Sequence, residues 1–254
     1  MGNIEFNRAR FLNLAYAASL ESHARFNIGT YKEKKLHLVL KHYFTDSSES
    51  LEIPVEGFIA DIKNAEGITE IQTSGFASMR EKLEAFLPLG PLTVVYPIAK
   101  RKWVSWIEPE TGDISPKNRS PKTGRPFDVI PELIYIRDYL THPNLRIRTV
   151  LLEIEEYRML DGKRSRSRKR GSHRYERIPT DIFGIYDFAS PADYIACLPE
   201  LPELFTAAEL IAAAKYRGHD VSAVMRVLEA AGAIVREGKR GRAFQYRISE
   251  KNSL

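Results

Sequence analysis

Residues 55–74 read VEGFIADIKNAEGITEIQTS, and the organisation of the chain follows from how this stretch folds. Asp61 closes one β-prone run, Asn64-Ala65-Glu66-Gly67 marks a turn, and Glu70 lies in the next run, with Gln72 two residues on. Side chains two apart in a strand share a face, so Glu70 and Gln72 point one way and Ile71 points the other, into core. The short hairpin brings Asp61 beside Glu70. Two carboxylates at one end of a buried sheet repel each other and are costly to desolvate. A divalent cation removes that cost, and oxygen ligands with room left for water and phosphate are what Mg²⁺ prefers.

Outward from this stretch, the apolar spacing predicts a helix over residues 8–26 through Phe11, Leu14, Ala15, Ala18 and Leu20. A second helix is expected from Tyr31 to Phe44, with Leu36, Val39, Leu40 and Tyr43 on one face. Glu33 falls on or beside that stripe, where a core-side acid needs a partner; the alternative, from the run Lys32-Glu33-Lys34-Lys35, is a surface charge. Two or three strands are expected between Leu51 and Thr73. A helix over residues 76–87 carries Phe76, Met79, Leu83 and Phe86 on one side and ends at Pro88, Gly90 and Pro91. Thr73 and Ser74 either contact phosphate or cap that helix. Residues 92–99, LTVVYPIA, read as a buried strand and residues 100–107, KRKWVSWI, as an alternating one.

This order, an acid on a helix, then Asp and Glu-x-Gln on strands, then a helix and a strand, resembles the PD-(D/E)XK nuclease core over residues 25–107. The resemblance implies a restriction-endonuclease-like αβββαβ core with a mixed sheet. It implies that Glu33, Asp61 and Glu70 hold Mg²⁺ (or Mn²⁺), and that Gln72 takes the place of the lysine that aligns the attacking water. Two features depart from the family pattern: Ala60 rather than proline precedes Asp61, and Gln72 is neutral. A metal-bound water has its pKa lowered without help from a lysine; Lys63 or Lys82 is the other source of positive charge. The competing reading makes Asp61 and Glu70 solvated strand-end residues.

Residues 109–126 form a loop rich in Pro, Gly, Ser and Lys, residues 127–140 look helical, and residues 145–160 look like a strand or hairpin. Residues 163–177, KRSRSRKRGSHRYER, hold eight Lys or Arg against one Glu, the sharpest composition shift in the chain. Between structured flanks this predicts a basic hairpin arm. Its Lys163, Arg164, Arg166, Arg168, Lys169 and Arg170 would neutralise phosphates and make binding salt-dependent; the alternative is a solvated loop.

Residues 201–249 resemble a winged helix-turn-helix. Thr206 and Asp220 cap two helices, Gly218 and Gly232 end segments, and a hairpin turns at Gly238-Lys239-Arg240-Gly241. The resemblance implies a second helix in the major groove, offering Ser222, Arg226 and Glu229, and a wing whose Arg236, Lys239, Arg240 and Arg242 meet the backbone. A protein-contact or dimerisation role is the other reading.

Composition narrows the class. The net charge is +5, the isoelectric point is about 9.2, and 43% of residues are hydrophobic, enough for a core and a surface that attracts polyanions. The single cysteine, Cys197, excludes an internal disulfide and a Cys-based zinc site and reads as a small buried apolar residue. No apolar run approaches the ~20 residues of a membrane span, and no basic segment followed by an apolar one opens the chain, so a cytoplasmic location is expected. The expected organisation is a nuclease-like core over residues 1–108, an α/β extension over 109–190 and a winged-helix domain over 191–254. The expected function is metal-dependent hydrolysis of DNA, duplex before RNA, with no membrane partner and with a homodimer compatible with cutting two strands. The rival is a non-enzymatic winged-helix DNA-binding regulator with an inactive nuclease-like core.

Overall fold

Apolar residues at helical spacing decide the first layer. In α1 (Arg8–His23) Phe11, Ala15 and Ala18 are buried, and in α2 (Lys35–Phe44) Leu36, Val39, Leu40 and Tyr43 are. Phe11 and Tyr43 meet edge to face, and both helices pack on one side of the sheet against Ile71, Val95, Val150 and Leu152. The computed structural model describes residues 3–23, 34–73, 75–164, 170–216, 218 and 220–249. Within those, α2 begins at Lys35, after the extended Lys34; the expected start at Tyr31, and Glu33, Ser74, Arg166, Arg168 and Lys169, lie outside the described residues.

The chain is an α/β protein built on a mixed seven-stranded sheet. Strands β1 (Leu51–Val55), β2 (Phe58–Asn64) and β3 (Gly67–Ile71) form an antiparallel meander. The chain then crosses through a 3₁₀ turn at Phe76–Met79 and α3 (Arg80–Phe86) to β4 (Leu92–Ile107), which lies parallel to β3. Two residues of β5 (Asn118–Arg119) pair with β4. β6 (Leu145–Arg164) runs parallel to β4, and β7 (Arg170–Phe188) returns antiparallel to β6. Residues 109–190 therefore contribute strands to the same sheet as the first hundred residues.

Two expectations about local structure are corrected, and the expected helical stretch over residues 127–140 is present as a 3₁₀ helix. Asp61 does not close its strand, because β2 continues to Asn64. Residues 92–107 form one strand, not two; Lys100 is an extra residue between Ala99 and Arg101, and this bulge switches which parity faces the core. Pro126–Tyr139 is a 3₁₀ stretch containing Pro131 and kinked at Ile136. It covers the second face of the sheet with Phe127, Val129, Ile130 and Leu133, beside Phe76, Met79, Leu83 and Phe86.

That second core continues into the C-terminal residues. After α4 (Pro191–Ala196), a small sheet in the order β8 (Phe205–Thr206), β10 (Ala243–Ile248), β9 (Ile234–Arg240) packs with α5 (Ala207–Ala213) and α6 (Val221–Ala230). Thr206 caps α5 in a reciprocal bond with Glu209, and Asp220 caps α6 through the Ala223 N–H. Val224, Met225 and Leu228 of α6 join the cluster that contains Ile130 and Leu133. Arg125 donates to the Ala214 carbonyl across the same contact.

The hairpin that positions Asp61 and Glu70 turns at Gly67, whose φ is +122°. A Cβ there would stand 2.2 Å from the Pro91 carbonyl oxygen, which accepts the Ile68 N–H and cannot move away without breaking that bond. Gly57, at φ +79°, has open space around it. Gly67→Ala is expected to lower stability by about 3 kcal/mol and Gly57→Ala by only about 1 kcal/mol, read from urea denaturation. Equal losses would show that the Pro91 contact does not constrain the hairpin.

Candidate active site

Register pairs Ile62 with Thr69, Lys63 with Ile68 and Asn64 with Gly67, and there the β2–β3 ladder stops. The next pair would be Asp61 opposite Glu70. Instead of backbone bonds, each side chain reaches across: Glu70 Oε1 accepts the Asp61 N–H at 3.2 Å, and Asp61 Oδ2 accepts the Ile71 N–H at 2.7 Å. The two acids thus satisfy the backbone groups that parting strands would leave bare, and the strands open where the acids sit.

Each acid also has a cationic or imidazole partner. His37 of α2 lies 3.1 Å from Asp61 Oδ2. Lys82 of α3 donates to Glu70 Oε2 at 2.6 Å and to the Ile59 carbonyl at 2.9 Å. Glu70 is 3% exposed, so its charge is held almost out of water. Burial and the nearby charge of Asp61 push its carboxyl above the usual range, with Lys82 opposing. Burial pushes Asp61 up as well, but the bond and charge of His37 and the Ile71 N–H outweigh it and hold that carboxyl below the usual range. Adjacent carboxyls with pKa values driven apart are a pattern that clusters at functional sites.

The remaining predicted residues are distributed as follows. Gln72 lies just past the end of β3, its N–H bonded to the Val95 carbonyl and its side-chain amide to the Gly75 carbonyl, so that amide is engaged in the loop. Lys63 is exposed on β2. Thr73 gives its carbonyl to Arg177 of β7 at 2.7 Å. The arm is a hairpin of β6 and β7, with Lys163 and Arg164 at the end of one strand and Arg170 at the start of the other. In α6, Ser222 and Arg226 are exposed, while Glu229 is half-buried and bonded to Arg236. Arg236 and Lys239 lie over the Phe244 ring, Arg240 pairs with Glu209, and Arg242 is exposed. Cys197 is half-buried with its thiol on the Tyr194 carbonyl, and burial pushes it up to about 12.

The sequence reading missed His37. Its signal was its place next to Leu36 at the border of the α2 stripe, a border position that surface residues share.

Could the centre hold a divalent cation? Both inward bonds of Asp61 fall on Oδ2, which leaves Oδ1 without a hydrogen bond among the described residues. Two mutually repelling carboxylates and an imidazole are a donor set that Mn²⁺ accepts and that Mg²⁺ accepts through its oxygens. No group of three or more such side chains is drawn together tightly enough for a metal ion among the described residues. The residues present suit the ion in kind, and His37 and Lys82 stand where it would compete.

Fold and site together define an α/β protein with a paired-carboxylate centre at the opening of an antiparallel hairpin. The chain belongs to the family described as "Domain of unknown function (DUF8091)", whose model matches residues 34–189. That segment contains His37, Asp61, Glu70, Lys82 and the β6–β7 hairpin. An uncharacterized protein of Treponema pallidum (strain Nichols) is 30% identical over 222 residues, 87% of either chain. No solved structure matches the chain. No helix among the described residues is long and apolar enough to cross a membrane.

Lys82 offsets the burial of Glu70, so Lys82→Met leaves a carboxylate to be protonated or exposed. Glu70 then has a folded pKa further above its unfolded one. The penalty is absent below the unfolded pKa and grows as pH rises towards the folded value. Urea denaturation should show little loss near pH 4 and a loss of ~2 kcal/mol at pH 8, discounted for the partial exposure of Lys82. Lys82→Met/Glu70→Gln should recover most of it. A loss independent of pH would mean that Lys82 acts only through packing.

Proposed function

We propose that this chain is a metal-dependent nuclease that hydrolyses phosphodiester bonds in DNA at Asp61 and Glu70, with a PD-(D/E)XK-like core and a C-terminal winged helix. The observation that carries the reading is the parting of β2 and β3 at these two acids, at the carboxyl end of β3 where a parallel crossover leads to β4. In open α/β sheets, that strand end is where ligands bind. The order α2, β1–β2–β3, α3, β4 is the order expected of the nuclease core.

Asp61 Oδ1 and the Glu70 carboxylate would hold the cation, with Glu33 the expected third acid. A bound divalent ion would neutralise the scissile phosphate and lower the pKa of the attacking water. Lys82 supplies the positive charge that Gln72 lacks. Its ammonium is already at Glu70, and the four-carbon stem lets it swing from the carboxylate to an incoming phosphate oxygen. Gln72, bonded to Gly75, fixes the loop after β3. Asp61 keeps His37 oriented at the mouth of the opening.

The C-terminal order α4, β8, α5, α6, β9, β10, with β10 central in its sheet, supports the winged-helix reading. Ser222 and Arg226 would meet the groove, and Arg242 with the arm cations Lys163, Arg164, Arg166, Arg168, Lys169 and Arg170 would meet phosphates. One observation favours the second reading, a DNA-binding regulator without activity: both acids already have protein partners, in His37 and Lys82.

Plasmid and linear duplex DNA incubated with Mg²⁺ or Mn²⁺ separate the two. Cleavage that a chelator stops and that Asp61→Asn and Glu70→Gln each reduce by on the order of 100-fold is the expected result. Binding without cleavage, unaffected by either substitution, would leave the regulator.

A further inference from the structure

Away from the two acids, the inner face of the long hairpin carries a second charged assembly. Glu156 of β6 is 3% exposed, yet four cations converge on it from three strands. Arg158 donates to its Oε1 at 2.7 Å, Lys102 of β4 to its Oε2 at 3.3 Å, and Arg174 of β7 stands 3.7 Å from the same oxygen. Arg177 is its direct partner in the β6–β7 ladder and feels its charge. Burial pushes the Glu156 carboxyl up, but the Arg158 bond and the charges of Lys102 and Arg174 outweigh it, so Glu156 is held below the usual range and stays ionised. Nearby, Glu176 accepts the backbone N–H of Arg177 with one oxygen. The cluster is left with excess positive charge.

This excess is placed beside the carboxylate centre. Arg177 donates to the carbonyl of Thr73, three residues past Glu70. Lys34, just before α2, donates to the carbonyl of Tyr175. The Tyr96 hydroxyl lies within the electrostatic reach of Arg174 and Arg177. Arg177 is desolvated and pressed by Arg174, and both effects lower its pKa. Glu156 and Glu176 offset this only in part, so a half-buried guanidinium next to another gains from a further anion. Arg174, with half its side chain exposed, opens the cluster to solvent. Planar guanidiniums match the paired oxygens of a phosphodiester as they match those of a carboxylate.

We infer that Lys102, Arg174 and Arg177, organised by Glu156 and by Arg158, whose guanidinium is taken up by Glu156 and Ser172, form a track for the phosphodiester backbone of a DNA strand and lead it to the Asp61–Glu70 centre. The choice of DNA rests on the nuclease reading; the anion-binding geometry does not. Glu156 is a positioning residue, holding the guanidiniums apart and aimed.

The test is binding, which needs no cleavage. Fluorescently labelled duplex DNA is titrated with the full chain in EDTA at several salt concentrations. Arg174→Gln and Arg177→Gln should each weaken affinity about 5- to 10-fold and flatten the dependence of log K on log salt by about 1. Arg137→Gln, on the 3₁₀ stretch, should change neither. Thermal denaturation checks that the variants fold. Should Arg177→Gln fail to fold for want of its Thr73 bond, the half-exposed Arg174 carries the test alone. Unchanged affinity and slope in Arg174→Gln, or tighter binding of the matching RNA by the wild type, would overturn the inference. A wild type that binds DNA with these sensitivities but never cuts it would sustain the track and remove the nuclease reading.

Discussion

A carboxyl group held almost wholly out of water, beside a second acid, is the constraint around which the core is arranged. Glu70 meets it with two bonds, one from the Asp61 backbone and one from Lys82. Each bond fixes an element. The first holds β2 against β3 where their ladder ends, and the second ties α3 to the sheet from above, with Lys82 also on the Ile59 carbonyl. On the opposite face, Asp61 ties α2 through His37. Both helical layers are thereby keyed to one pair of residues. An apolar pair would have packed the strands with less desolvation penalty. Retaining two acids in such a position is intelligible if their charges are used.

The long strands depend on this centre too. β4, β6 and β7 would run far past the core if they were straight. They carry bulges instead, at Lys100 in β4 and at Phe183, Thr180 and Tyr175 in β7. Each bulge bends its strand and increases the twist. The outer part of the ribbon thereby returns to the loop after β3, where Arg177 and Thr73 bond. An unbent ribbon would leave its basic inner face in open solvent; the bulged one brings it to the site.

Much of this was legible in residues 55–74. The alternation and the turn before Gly67 gave the meander, and the acid spacing paired Asp61 with Glu70, because strand periodicity is a local property. What depended on other elements was not legible. Lys82 is one of two cations in Arg80-Glu81-Lys82, and only the packing of α3 selects it. The placement of His37 beside Asp61 needs the docking angle of α2. The bulge at Lys100 made one strand look like two, since it shifts the period-2 pattern by a residue. That residues 127–140 are helical was legible, but their 3₁₀ form, with Pro131 inside and a kink at Ile136, was not. Arg158 and Arg177 could be read from sequence as basic but not as neighbours of a buried glutamate.

The C-terminal module constrains how the chain could meet DNA. Of the ten residues of α6, five are buried, and they span more than half of its circumference because the helix packs both on its own small sheet and on the 3₁₀ stretch Pro126–Tyr139. What remains for a groove is a strip bearing Ser222 and Arg226, flanked by Glu229 in its bond to Arg236. Two exposed polar side chains can position a helix but read few bases. Much of the β9–β10 hairpin is committed as well, with Arg240 on Glu209 and Arg236 stacked on Phe244. Because the module shares a core with the sheet, it cannot swing independently of the Asp61–Glu70 centre. On the nuclease reading, such a module would act as a fixed guide, setting where a backbone lies relative to the acids and leaving the sequence of that backbone largely unread.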